Sequence, residues 1–183
     1  MNTSNVTASK PKVGGAVFAA PVGTTLPTDA TSALDAAFQE LGYVSEDGVT
    51  NSNSPESETI KAWGGDTVLT LLTSKDDTYA FTLLEVLNLN VLKLIYGEEN
   101  VTGSLAEGIT ITANSKDLEE HVVVIDMILR NNALKRVVIP LAKVSEVGDI
   151  TYSDSDAVGY ETTLFCAADN AGNTHYEYIK AAE

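Results

Sequence analysis

The sequence contains few of the residues from which catalytic and metal sites are built. Its 183 residues include one cysteine and two histidines. A single cysteine, Cys166, excludes an intramolecular disulfide framework, and one cysteine with two histidines is too few for most zinc sites. Cys166 lies in a strand-like run, which predicts a small buried side chain rather than a catalytic thiol. We therefore predict no cofactor and no metal.

Basic residues are also scarce. The chain has 11 Lys and Arg against 26 Asp and Glu, a formal charge of −15, and no Lys or Arg lies between residues 12 and 61 or between 143 and 180. This acidity argues against a protein that grips nucleic acid phosphates or adheres to an anionic membrane. The longest mostly apolar run, 122–129, is interrupted by Asp126, so we expect no insertion into a membrane.

No motif in the sequence indicates an active site. Glycine-rich phosphate loops, G-x-S-x-G and H-E-x-x-H are all missing. Asp154 and Asp156 could open a calcium loop, but Val158 stands where a further oxygen ligand belongs, so we predict a solvated acidic turn. Trp63 could stack on a sugar, although packing at an interface or at the edge of the core is favoured. The sequence therefore predicts that the chain is not an enzyme.

The apolar pattern divides the chain into an arm and one domain. We expect a flexible polar arm over residues 1–12 and a single domain over 13–183. Apolar residues at helical spacing predict a first helix over Ser32–Leu41, and a polar stretch near 45–55 predicts an extended exposed loop. The run 86–96, which is followed by a glycine, predicts a buried helix.

Most other segments have the two-residue period of strands. Thr67–Thr73 and Thr78–Glu85, separated by a polar turn, predict a hairpin whose second strand turns Tyr79, Phe81 and Leu83 towards the core. Further strands are expected at 108–113, 119–130, 134–144, 160–168 and 175–180. The sum predicts a mainly β fold, a sandwich or barrel flanked by one or two helices.

Two short features refine this strand prediction. Asn131 and Asn132 stand between two expected strands and predict a hairpin turn that accepts positive φ. Pro140 cannot donate a backbone hydrogen bond, so it predicts either an edge position or a bulge within its strand.

Six stretches follow one another in an order and spacing that resemble a known family. They are Gly15–Thr28, Leu41–Val49, Lys61–Asp66, Glu85–Gly97, Asp149–Tyr152 and Tyr160–Leu164. Together they resemble the major tail proteins of long-tailed bacteriophages, particularly those of Gram-positive and actinobacterial hosts. The resemblance spans most of residues 13–180.

The resemblance implies a structural protein of the virion tail. Its relatives fold as two packed antiparallel sheets flanked by a helix, form hexameric rings and stack these rings into a hollow tube. Such a tube encloses a tape-measure protein, works with tail terminator and distal tail proteins, and conducts the genome without binding DNA specifically. The implied partners are therefore further copies of the chain and these other tail proteins.

The candidate site residues are surface positions. Phe18 and Trp63 are candidates for subunit interfaces. Glu161 and Glu177 are candidates for the lumen wall, because acids on strands without a neighbouring base repel DNA phosphates. Two alternatives stay open: a carbohydrate-binding β-sandwich with Trp63 as its platform, and another virion ring protein such as a tail terminator or head decoration protein.

Overall fold

The computed structural model describes residues 1–12 and 15–182, and its dominant element is the β-strand. Strands make up 50% of the chain, and helices, including short 3-10 helices at Thr3–Asn5, Glu98–Asn100 and Arg130–Asn132, make up 9%, which confirms the mainly β prediction. The elements are β1 (Ser9–Pro11), β2 (Val17–Pro21), β3 (Gln39–Glu40), β4 (Val44–Lys61), β5 (Thr67–Leu83), α1 (Leu89–Tyr96), β6 (Val101–Ser104), β7 (Gly108–Ile111), β8 (Glu120–Leu129), β9 (Leu134–Val147), β10 (Tyr160–Cys166) and β11 (Tyr176–Lys180).

One large antiparallel sheet organises the fold. Seven of its nine strands follow the order β3-β2-β8-β9-β10-β5-β4. The other two lie off this path: β1 pairs with β8, and β11 pairs with β9. β6 and β7 form a separate two-stranded sheet. The two predicted layers are therefore a large and a small sheet, and the described residues form no closed barrel.

The main core lies on one face of the large sheet, together with α1. Apolar side chains of β5, β8, β9 and β10 on this face are fully buried, and α1 adds its own buried face. The helix begins after Asn88, whose side chain accepts a hydrogen bond from the backbone N–H of Asn90 at 3.0 Å. It ends at Gly97, where φ is 96°. The predicted buried helix is confirmed, although it starts three residues later than expected.

The opposite face of the sheet is partly covered by the loop between β2 and β3. Arg136, on β9, is 1% exposed and pairs with Asp126 of β8 through two hydrogen bonds of 2.7 and 2.8 Å. Its remaining nitrogen donates to the carbonyls of Asp29 at 3.2 Å and Ser32 at 2.9 Å, so the buried pair ties the loop to the sheet.

The helix predicted over Ser32–Leu41 is wrong. This segment consists of turns followed by β3. The Asp29 carboxylate accepts backbone hydrogen bonds from Thr31 and Ser32, and Asp35 accepts one from Ala37. A helix of ten residues is marginal by itself, and these local and tertiary hydrogen bonds satisfy the backbone in another conformation.

The largest difference from expectation lies between residues 44 and 83. β4 and β5 pair from Val44–Leu83 to Lys61–Thr67, with register shifts between Val44 and Val49, between Glu56 and Ser57 and between Ile60 and Lys61. The loop predicted near 45–55 is therefore a strand, and the turn predicted at residues 74–77 lies inside β5. Polar residues suit this hairpin because most of it is exposed on both faces, so it shows no alternation of apolar and polar residues.

Several local predictions for the strands are confirmed. Tyr79, Phe81 and Leu83 are buried on one face of β5. Asn131 and Asn132 adopt φ values of 60° and 59° in the turn between β8 and β9. The five strands expected after residue 107 are present as β7 to β11, with ends that differ by a few residues.

Pro140 occupies a bulge, one of its two predicted environments. The pairs His121–Ala142 and Val123–Ile139 leave two residues of β9, Pro140 and its successor, opposite a single residue of β8. The missing N–H of proline is accommodated by this break in the ladder, although β9 is a central strand.

The predicted N-terminal arm is only partly outside the sheet. Ser9–Pro11 forms β1, which pairs with the end of β8. The side chain of Thr7 accepts a hydrogen bond from the backbone N–H of Arg130 at 2.8 Å. The flexibility of residues 1–12 stays a prediction.

Candidate assembly surface

A projecting two-stranded arm is the most distinctive surface of the molecule. We define it as residues 53–76, the outer part of the β4–β5 hairpin. β10 pairs with β5 only along Thr78–Leu83, so beyond that point β4 and β5 pair only with each other. At ~3.4 Å per residue, the stretch 53–61 extends about 30 Å from the body.

The arm carries apolar side chains that contact no core. The exposed ones are Ile60, Trp63, Val68, Leu69, Leu71 and Leu72. Ile60 lies opposite Leu69, and Leu71 lies two residues further along the same face. An isolated two-stranded ribbon is marginally stable in water, and a contiguous apolar patch on it indicates a surface that another protein covers.

A buried polar cluster holds the base of the arm to the body. Asp77, 1% exposed, accepts hydrogen bonds from Asn51 of β4 at 2.8 Å and from the Thr174 hydroxyl at 2.5 Å, and Nδ1 of His175 lies 2.5 Å from its carboxylate. Burial by itself raises the pKa of Asp77, but the hydrogen bonds from these three side chains hold the pKa below its usual value. The cluster therefore joins β4, β5 and the segment before β11.

This cluster is not predictable from local sequence pattern. Asp77 stood in a predicted turn, and Thr174 and His175 are almost a hundred residues away along the chain. The apolar arm was also missed, although the run Thr67–Thr73 was correctly interpreted as strand. The apolar residues of this run were expected in the sheet of the domain rather than in a two-stranded hairpin that projects from it.

The two candidate interface residues lie far apart in the sheet order. Trp63 is at the tip of the arm and fully exposed, so it does not pack at the edge of the core in this chain. Phe18 is half-buried on β2, between Glu40 of β3 and Val124 of β8. The interface roles of Phe18 and Trp63 stay predictions, at opposite ends of the sheet.

The two candidate lumen residues lie on opposite faces of the large sheet. Glu161 pairs with Thr82 on the face away from the core and is exposed. Glu177 is aligned with Val137 on the core face, and its carboxylate forms a 2.8 Å ion pair with Lys135. The premise that Glu177 has no neighbouring base is wrong, because β9 brings Lys135 next to it from a distant part of the sequence.

Comparison with known families gives a match over the entire chain. Residues 1–183 match the family model described as phage tail tube protein. The chain belongs to the phage tail tube protein family. A search of curated proteins found no match. The resemblance of the six sequence stretches to phage tail proteins is thereby confirmed, whereas the Gram-positive and actinobacterial host type stays a prediction. Membership supports a structural role in the tail tube of the virion.

The phage tail tube protein family is a structural class and not an enzyme class. Cys166 is buried, as predicted, and burial raises the pKa of its thiol to about 12. Among residues 1–12 and 15–182, no group of three His, Cys, Asp or Glu residues is placed to hold a metal ion. In the same part of the chain, no helix has both the length and the apolar character needed to cross a bilayer.

Proposed function

We propose that this chain assembles with further copies of itself into hexameric rings, which stack into the tail tube. The observation that carries the proposal is the arm, whose apolar side chains are exposed in the single chain. Covering them by neighbouring copies removes apolar surface from water at ~25 cal/mol per Å². In the complete tail, the tube encloses the tape-measure protein, meets the tail terminator and distal tail proteins, and conducts the genome.

The sheet edge at β4 supports lateral assembly. β4 is the last strand of the sheet order and spans 18 residues, so its outer edge is long and unpaired within the described chain. Natural proteins seldom leave such an edge open, because it is a template for pairing with another chain. Closing the sheet across neighbouring subunits around a lumen satisfies these backbone groups.

In the proposed tube, carboxylates that face the lumen keep DNA from binding to the wall. Because Glu161 and Glu177 lie on opposite faces, a lumen formed by one sheet face takes only one of them. Glu161 is our candidate, since it is exposed and forms no ion pair within the described chain, whereas Glu177 is neutralised by Lys135. A wall of this kind repels phosphates rather than binding them.

The test is electron microscopy of purified protein in negative stain, where we expect tubes or stacked rings. The variant Leu69→Ser/Leu71→Ser removes apolar groups from one face of the arm and should abolish tubes without lowering the melting temperature of the monomer. The control Leu105→Ser changes a leucine outside the arm that is exposed to 63%, more than Leu69 at 48% or Leu71 at 46%, and it should leave tubes intact. Single unstacked rings from the unsubstituted protein would favour another virion ring protein, and uniform small particles would contradict the proposal.

A further inference from the structure

A groove lies at the end of the sheet opposite the arm, between the β2–β3 edge and α1. Its volume is about 900 Å³, which lies within the range of pockets that hold sizeable ligands. The lining includes the small side chains Ala19, Ala20 and Ala37 and the apolar side chains of Leu41 and Leu94. Ala19, Ala20, Leu41 and Leu94 are at most 7% exposed and form the floor of the groove, whereas Val22, 49% exposed, is an apolar side chain of the lining that a group from another molecule can contact.

The rim of the groove is acidic. Glu98, Glu119 and Glu120 contribute carboxylates to it. Lys93 binds Glu98 at 2.5 Å, whereas Glu119 and Glu120 form no ion pair within the described chain. The rim therefore has carboxylates available both for a cation and for an N–H donor.

The tip of the arm has the complementary features. Trp63 is fully exposed there, and its indole N–H is a donor without acceptor capacity. The turn is closed by the hydrogen bonds Ala62 N to Asp66 O at 2.7 Å and Gly65 N to Ala62 O at 3.0 Å, so the indole is presented from a defined loop. Lys61, just before the turn, is exposed and forms no ion pair in the described chain.

We propose that Trp63 of one copy inserts into the β2–α1 groove of the next copy, with Lys61 facing the carboxylates of Glu119 and Glu120. This inference rests on the proposed function and identifies the surface of the next copy that the tip of the arm binds. Trp63 cannot fill the groove of its own chain, because there it is fully exposed at the far end of the arm. Since arm and groove are different patches, the contact is head-to-tail and continues from copy to copy.

The first experiment is disulfide trapping in assembled protein. Ala62→Cys places a thiol beside Trp63, and Val22→Cys places one in the groove at an exposed position. Oxidation should give a ladder of linked multimers beyond the dimer, because each copy contributes one thiol to each of two contacts. The control pair Ala62→Cys/Leu105→Cys should give no ladder, and the native Cys166 is buried and does not compete.

The second experiment uses Trp63 as the sole tryptophan of the chain. On assembly its emission should shift to shorter wavelength, and its quenching by acrylamide should fall. Trp63→Ala should raise the protein concentration needed for assembly by at least about tenfold, as expected for a central aromatic anchor. Val22→Arg, which adds a charge at the groove, should have the same effect without changing the melting temperature of the monomer.

The outcomes separate the two proposals. Suppose that normal tubes form, that acrylamide still quenches Trp63 as in the monomer, and that no linked multimers appear. This result would contradict the insertion of Trp63 into the groove but would agree with the proposed tube function. Linked multimers from the control pair Ala62→Cys/Leu105→Cys would also contradict insertion into the groove, because they would place the tip of the arm at the β6–β7 turn of the next copy. Failure of the unsubstituted protein to assemble at all would overturn both.

Discussion

Asp77 shows how one buried carboxylate organises a projecting element. Its carboxylate is bound by Asn51 of β4 and by Thr174 and His175 in the segment before β11, and none of these partners is adjacent to it in sequence. The lowered pKa of Asp77 means that the folded state favours the ionised form. Stability from this group is therefore present above its unfolded pKa of about 3.8 and is lost as pH falls through the lower folded value.

We expect Asp77→Asn to lower the free energy of unfolding at pH 7 by about 1–3 kcal/mol, because its partners lose a charged acceptor. The same variant should lose less stability than the parent between pH 5 and pH 2, since it cannot be protonated there. Urea unfolding at several pH values measures both effects. The matched control is Asp149→Asn, an exposed acid, and an identical pH dependence in the two variants would contradict the role of Asp77.

A second test concerns which side chains of β5 point towards the core. Phe81 is buried in the core, and truncation to Ala should cost about 3–5 kcal/mol. Thr82 lies on the opposite, half-exposed face, and Thr82→Ala should cost less than about 1 kcal/mol. Chemical denaturation of both variants compares the two costs, and equal values would show that the facing assignment is wrong.

The arm is the element whose behaviour should change most on assembly. In the single chain its strands have no further sheet neighbour and little apolar cover, so local opening should be easy. In assembled tubes we expect the amides of residues 53–61 to exchange much more slowly, together with those of the N-terminal arm, residues 1–12. Hydrogen exchange on monomer and tube tests this, with the buried strand β8 as the internal reference. Fast exchange of both segments in both states would contradict it.

The whole molecule is acidic, with a formal charge of −15, and in the tube that we propose this charge faces a polyanion. Glu161→Lys should slow DNA ejection from particles at low ionic strength, because a ring of new cations attracts phosphates by counterion release. Glu177→Lys makes the same change of charge on the opposite face and should leave ejection unchanged. Ejection rates at low and high salt compare the two, provided that both variants form tubes. The reverse result would assign the lumen wall to Glu177.

Local periodicity and turn chemistry determined a large part of the fold. Neighbours within a few residues were enough to predict the core face of β5, the buried helix ending before Gly97 and the Asn131–Asn132 turn. At Pro140 they left an edge position and a bulge open, and the β8–β9 register decided for the bulge. Family-like stretches distributed along the chain were likewise sufficient to indicate a tail tube protein. Such signals need no knowledge of which segments meet in space.

Tertiary structure alone decided the features that bear on assembly. The long β4–β5 pairing replaced a predicted loop and turn, because cross-strand hydrogen bonds satisfy the backbone of polar residues that show no strand periodicity. Arg136 held the β2–β3 loop in turns where local spacing favoured a helix. Lys135 reached Glu177 only through the pairing of β9 with β11. Apart from the β4–β5 pairs next to the hairpin tip, these contacts join residues distant in sequence, and local pattern carries no information about which distant partners will pair.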